Sequence, residues 1–330
     1  MLNLLCCPLC RGDLSADDAG FRCGPCGRTF PTVLGIPDFR IAPWKFFDVE
    51  ADRATAAGLA AAEAGTDWEG LLREYYRLQP EAGDDLHDIH MAHLAGEADQ
   101  ARVAVGHIAE GRSLSPEAAV LDAGCGVGRY SAAVAEAGLR PVGVDLSLAY
   151  LVLTRKRLGG RGLVVAAEAE RLPFRDAAFA GVISADVIEH VADQAGTLRE
   201  MGRVLAPGGV LFLSTPNRFS LTPEPHVGLW GVGWMPHEWA VRYVWRRRRI
   251  PYADIRLLSG AGLRRMFRAV FPGRAEVMVP PLSPKAMEHF PPLKRRLAGV
   301  YQTVRTWPVV RTVLGAVGPF FHVRAVKAAP

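Results

Sequence analysis

Ala119-Val120-Leu121-Asp122-Ala123-Gly124-Cys125-Gly126-Val127-Gly128 is the stretch whose reading decides the fold. A short apolar run ends in an acid and opens into three alternating glycines, the pattern of a strand turning through a loop into a helix. Tyr130 to Ala137 supplies the helical spacing that follows. The same rhythm continues downstream, with apolar runs at Pro141–Val144, Leu163–Ala166, Ala180–Ser184 and Val210–Ser214. Leu148–Leu158 and Ala195–Leu205 separate them with helix-like patterns. Continuous apolar strands alternating with helices predict an α/β fold, a mostly parallel sheet with helices on both faces. Ligands of such sheets sit at the carboxyl ends of the strands.

Three details set this loop apart from a dinucleotide site. The third glycine comes one place early for G-x-G-x-x-G, since position 129 is Arg. Asp122 beside the loop would repel a pyrophosphate but attract an ammonium group. Asp145 follows Gly124 by 21 residues and ends the second strand, which suits a carboxylate accepting both ribose hydroxyls. A cationic ligand with a ribose, a free amino-acid end and no phosphate is S-adenosylmethionine.

Here the sequence resembles the class I S-adenosylmethionine-dependent methyltransferases. Val120–Gly128 is similar to their first motif and Gly143-Val144-Asp145-Leu146-Ser147 to their second. Glu168-Ala169-Glu170-Arg171-Leu172-Pro173-Phe174 is similar to the stretch whose leading acid contacts the adenine amine, with Glu in place of the usual Asp. Asp186-Val187-Ile188-Glu189-His190-Val191 resembles the motif after the fourth strand, and Leu205–Gly209 the turn before the fifth. The resemblance implies a Rossmann-like sheet of seven strands, closed by a helix near Gly260–Val270 and an antiparallel hairpin of Ala275–Val279 and Phe321–Val326. It implies a methyl-donor site drawing on Asp122, Ala123, Gly124, Cys125, Gly126 and Gly128. Asp145, Leu146, Glu168, Ala169 and Asp186 complete that set. Cys125 itself reads as a small buried filler rather than a reactive thiol.

Six cysteines occur, five of them within the first 26 residues. Cys7-Pro-Leu-Cys10 and Cys23-Gly-Pro-Cys26 form two C-x-x-C turns separated by twelve residues. Two such turns supply the tetrahedral four-sulfur set that zinc prefers, and four protein ligands leave no open position, so a structural metal is expected. Cys6 is the spare, and slippage between Cys6 and Cys7 stays open. The run Cys7–Phe39 resembles the small zinc-ribbon activator of RNA and protein methyltransferases, which implies a docking or stabilising module.

The chain has 330 residues, 49% apolar and 22% charged, with no apolar stretch near the ~20 residues a membrane span needs and no export signal. A cytoplasmic protein is expected, and disordered, transmembrane and disulfide-scaffold classes are excluded. Composition and the two resemblances together divide the chain into a zinc ribbon over 1–40, a helical segment or lid over 41–115, and the methyltransferase domain over 116–330; the closing helix and hairpin that the resemblance implies leave insertions near 218–258 and 280–319. Arg242–Pro330 holds 18 lysines and arginines against three acids, on a body with 21 basic and 31 acidic residues. Such a division suits an anionic partner. Trp230, Trp234, Trp239 and Trp245 precede Arg246–Arg249, and Leu293, Leu297, Val300 and Val304 keep helical spacing beside Lys294-Arg295-Arg296. Aromatics and arginines on an amphipathic element suit an anionic membrane surface, with a protein peripheral to it, or a lipid-linked substrate. The plainer expectation is a lid helix packed on its own domain.

Asp186, Glu189 and His190 fall beside the expected methyl group. His190 is the base candidate by its ordinary pKa, and a pocket-shaping role is the alternative. His226, His237 and Tyr243 of the first insertion are within reach of projecting over the pocket. Ser214-Thr215-Pro216-Asn217-Arg218 resembles the corresponding stretch of quinone-pathway and natural-product O-methyltransferases. The expected function is therefore methylation of a small, glycan-like or lipidic metabolite at a hydroxyl. Two alternatives are an rRNA or tRNA base methyltransferase, which the basic end would serve, and a non-catalytic donor-binding or activator protein. Glu189-His190 in place of an Asn/Asp-Pro-Pro-Tyr signature disfavours the first alternative, and the intact glycines with Asp145 disfavour the second.

Overall fold

The computed structural model describes residues 2–41, 47–79, 99–282, 287 and 292–329. Parts of the helical segment (42–46 and 80–98) and of the second insertion (283–286 and 288–291) lie outside the described residues.

The central sheet has seven strands. They are β5 (Ala119–Ala123), β6 (Arg140–Asp145), β7 (Leu163–Ala166), β8 (Phe179–Ala185), β9 (Leu205–Pro216), β10 (Gly273–Met278) and β11 (Phe320–Lys327), in the order β10-β11-β9-β8-β5-β6-β7. The neighbours from β9 to β7 pair in parallel, while β11 runs antiparallel to both β9 and β10. The expected closing hairpin is thus present, shifted by one to two residues. One difference concerns Leu205–Gly209, read as a turn: β9 already begins at Leu205, pairing it with Phe179, and an irregularity follows before Gly181 meets Val210.

Side chains alternate across a strand, so each strand serves two layers. Leu121, Val144, Val182 and Leu211 join one core with helices α6 (Gln194–Val204) and α8 (Gly260–Val270). Val120, Ile183 and Phe212 face the other way, against α4 (Arg129–Glu136) and the helix α3 at 99–109. Under β6 and β7 that second face is covered by α5 (Leu148–Leu158), on which α1 (Val49–Ala62) and α2 (Trp68–Arg77) pack through Leu59, Leu71 and Leu72. Each of those leucines is fully buried, and truncation to Ala would cost on the order of 2–5 kcal/mol.

The N-terminal module is a four-stranded antiparallel sheet of β1 (Leu14–Asp17), β2 (Gly20–Cys23), β3 (Thr29–Val33) and β4 (Ile36–Pro37). Its Phe30 and Phe39 share the core of α6 and α8. Past β4 the chain lies along the free edge of the large sheet: Asp38 bridges Ala166 in parallel and the Phe39 amide donates to the Ala166 carbonyl at 2.8 Å.

Between β9 and α8 lies α7 (His237–Arg248), and between β10 and β11 lie α9 (Pro292–Val304) and α10 (Pro308–Val317). The expectation of a lid helix with its stripe packed inward does not hold for α9. Leu293, Leu297 and Val300 all point outward, Leu297 being 61% exposed. Among the described side chains of the helix Ala298 is buried, and Val304, the last residue of the stripe, is half-buried.

Candidate active site

The glycine loop follows β5 directly. Gly124 and Gly128 both take φ of +80°, a conformation that L side chains rarely adopt. A Cβ on Gly124 would come 2.2 Å from Val187, so glycine also lets the post-β8 motif close over the loop. The loop opens into a cavity of about 630 Å³ at the carboxyl ends of β5, β6 and β8.

Gly124, Cys125, Gly126, Asp145, Leu146, Ala169, Asp186 and His190 all line this cavity. Asp145 is held by the Gly126 amide at 2.9 Å and the Ser147 amide at 3.0 Å, which fixes its carboxylate at the tip of β6. Burial pushes the Asp145 carboxyl upward, opposed by those same amides. Asp186 has φ +57°, strained for a non-glycine residue, and its Oδ2 lies 3.4 Å from Arg129. Cys125 is buried with its thiol pushed well above the ordinary value by burial, consistent with a filler.

Four expected donor residues lie off the cavity wall. Asp122 is buried behind the loop, where its Oδ2 accepts the Ser131 amide and hydroxyl at 2.8 and 2.7 Å. The carboxylate expected to attract an ammonium group instead ties β5 to the first turn of α4. Gly128 caps α4, where a Cβ would meet Thr154. Ala123 is core. Glu168 is buried, and its Oε1 accepts the Ile41 amide at 2.7 Å, so it anchors the chain leaving the zinc module. Glu170 takes its place on the cavity wall.

Glu189 lies just off the cavity wall, fully buried. Its Oε2 accepts from Thr215 at 2.9 Å, and its Oε1 has no hydrogen bond and faces His226 Nε2 at 3.9 Å. Burial, with the charge of Asp186, pushes the Glu189 carboxyl to about 7. His190 meets His226 edge to face at 4.9 Å. His190 keeps an exposed face at the cavity, while desolvation by its surroundings and the neighbouring His226 lower it, to about 4. His226 is half-buried; desolvation lowers it, but its hydrogen bond to Glu224 and the surrounding carboxylates raise it above the ordinary value. Of the insertion residues expected over the pocket, His226 reaches this cluster. His237 turns to the Ala253 carbonyl, and Tyr243 packs within the insertion.

Sequence reasoning missed the aromatic walls Phe47, Tyr76, Tyr130 and Tyr150, the guanidinium of Arg129 and the carboxylate Glu224. Tyr76 lies in a stretch of helical apolar spacing with Leu71, Leu72 and Tyr75, and no local pattern places α2 beside the cavity. Glu224, two residues before His226, was the one readable signal among them.

In the N-terminal module the Sγ atoms of Cys7, Cys10, Cys23 and Cys26 lie within 4.8 Å of one another. The Cys7–Cys26 and Cys10–Cys23 separations of 3.7 and 3.4 Å approach the roughly 3.8 Å that four bonds of about 2.3 Å impose around tetrahedral zinc. The set fits a structural zinc. Cys6 lies outside it, and its amide donates to the Pro173 carbonyl.

Residues 121–213 match the methyltransferase domain family, and residues 1–32 match the Trm112p-like protein family. The chain carries a class I S-adenosylmethionine-dependent methyltransferase domain behind a Trm112-like module. A Mycolicibacterium smegmatis protein named a probable S-adenosylmethionine-dependent methyltransferase is 40% identical over 104 residues, 32% of this chain and 40% of the relative. A ubiquinone biosynthesis O-methyltransferase of Methylocella silvestris is 31% identical over 153 residues, 44% of this chain and 57% of the relative. The chain thus matches about half or less of these relatives' lengths. A solved complex of the Haloferax volcanii Trm112 methyltransferase activator with a methyltransferase is 22% identical, with a TM-score of 0.48 over 72% of this chain and 94% of that one. Among the described residues no helix is long and apolar enough to cross a membrane.

Proposed function

We propose that this chain transfers the methyl group of S-adenosylmethionine to a hydroxyl of a small, glycan-like or lipidic acceptor. The observation that carries the reading is one continuous cavity that begins at the glycine loop and Asp145 and ends at His190. Bound there, the donor supplies a methyl group activated by its sulfonium. Asp145, with lone pairs left beyond its two amide bonds, would accept the ribose hydroxyls. Leu146, Ala169 and Tyr150 offer apolar walls for the adenine, and Arg129 lies at the loop where a carboxylate would be met.

His190 stays in its free-base form above about pH 5 and can take the proton that leaves the acceptor hydroxyl. The carboxylate of Glu224, which raises both histidines, favours positive charge arriving on the pair. Positioning in this half-open cavity supplies the rest of the acceleration. The names of the quinone-pathway relatives support oxygen as the acceptor atom. As partner surface we assign α7, whose exposed side carries Trp239, Arg242, Trp245 and Arg246 and ends at the capping Arg249, to anionic lipid, which suits a lipidic acceptor and a peripheral location.

The experiment is calorimetric titration with S-adenosylhomocysteine, followed by transfer of a labelled methyl group to a panel of phenolic, glycan and lipid hydroxyls. Micromolar binding that weakens at least tenfold in Asp145→Ala, with label entering an oxygen acceptor, is the expected result. Label entering rRNA fragments instead, with steeply salt-dependent RNA affinity, would replace this reading by the base-methyltransferase one.

A further inference from the structure

A buried ionic chain joins the zinc module to the loop that carries Asp145. Arg40, two residues past the bridge between Asp38 and Ala166, is 5% exposed at its side chain; its partners Asp38 and Asp52 are equally buried. Its Nε and Nη2 fork onto the two oxygens of Asp38 at 2.9 and 2.8 Å. Its Nη1 donates to the Leu146 carbonyl at 2.8 Å and reaches Asp52 Oδ2 at 3.3 Å. Asp52 sits on α1 and caps a helix that is not its own. It accepts the Ser147 hydroxyl at 2.6 Å and the Leu148 and Ala149 amides at 2.9 and 3.3 Å. Ser147 in turn donates its amide to Asp145. Leu146 and Ser147 also line the cavity.

Helix α5 has no acid in its own first turn, so Asp52 supplies the negative charge its N-terminus favours. A fork onto one carboxylate with a third bond to a carbonyl leaves the guanidinium little freedom. Two chain segments, Asp38–Arg40 and Asp52, about a hundred residues away in sequence, therefore fix one turn, residues 145–149, at the cavity's edge.

We propose that Arg40 and Asp52 are positioning residues that hold Asp145 in its ribose-accepting place, so that docking of the zinc module sets the affinity for the methyl donor. This rests on the donor site proposed above. The test uses zinc-loaded full-length protein and the ligand S-adenosylhomocysteine, with its 2′-deoxy analogue as a probe of the ribose contact. Arg40→Met and Asp52→Asn should weaken S-adenosylhomocysteine at least tenfold and Arg40→Lys by an intermediate factor. In Asp52→Asn the further loss on removing the 2′-hydroxyl should shrink from severalfold to near nothing. Arg11→Ala is the control: it cuts another tie of the module, to Leu172 and Glu200, away from the cavity, and should leave the affinity within twofold. Wild-type affinity in Asp52→Asn and Arg40→Lys overturns the proposal, and so does an equal loss in Arg11→Ala. Should Arg40→Met fail to fold, the other two variants decide. A wild-type protein that does not bind S-adenosylhomocysteine overturns the donor site itself, which separates the two failures.

Discussion

Asp122 shows what burial does to a single carboxyl. It is 1% exposed, one of its oxygens has no partner, and burial lifts its pKa to about 6 against the hydrogen bonds from Ser131. A pKa raised on folding contributes stability in full below the unfolded value near 3.8, and that contribution is lost as pH rises through about 6. Asp122→Asn keeps an acceptor for Ser131 without the charge. Relative to this variant, the wild type should lose on the order of 3 kcal/mol between pH 4 and pH 7. Urea denaturation at several pH values reads the difference, and parallel stability curves would refute it. The same residue marks a limit of motif reading. An acid beside a glycine loop is legible in the sequence, but the direction its side chain takes depends on Ser131 standing nine residues further on.

At the scale of elements, strand and helix positions followed closely from local patterns. Residues Leu163–Ala166 and Leu148–Leu158 form the elements their patterns predict, and Gly260–Val270 forms the helix that the resemblance implies, capped by Ser259. Ser147 accepts the Tyr150 amide at the start of α5, and Gly159 ends it in the left-handed conformation. The amphipathic helices were readable as helices but not as exposed ones, since a periodic apolar stripe looks the same whether or not something covers it. On α7, Trp239 and Trp245 are 65% and 49% exposed with arginines between and after them. Co-sedimentation should show the protein on vesicles with 30 mol% anionic lipid (roughly the composition that gives a useful surface potential) and little on zwitterionic ones. A Trp239→Ala, Trp245→Ala double variant should retain less than about a fifth of that binding. Equal binding to both vesicle types, or none, would remove the lipid assignment.

For the whole molecule, the Trm112-like module and the methyltransferase domain share one core. Phe39 is fully buried, with its ring 4.9 and 5.4 Å from Phe30 and Phe21, and joins the cluster that includes Leu198 and Phe267. A metal that orders the module should therefore stabilise the domain as well. Elemental analysis should find one zinc per chain, and removing it with a chelator should lower the melting temperature by about 5 °C or more. An unchanged melting temperature after complete removal would show the two parts to be energetically independent.

The class of the fold, the glycine loop, the acid at the end of β6 and the sulfur set were all determined by short-range pattern, because each depends on spacing within a turn, a strand or a loop of a few residues. Tertiary structure alone decided which acids face the cavity and which are spent inside. It brought Tyr76 of α2, Glu224 and His226 of an insertion, and Arg40 of the zinc module to one end of a sheet. Those contacts join residues up to about a hundred or more positions apart, and no periodicity records them: they arise only when the two faces of the sheet have been covered and the remaining edge has been filled.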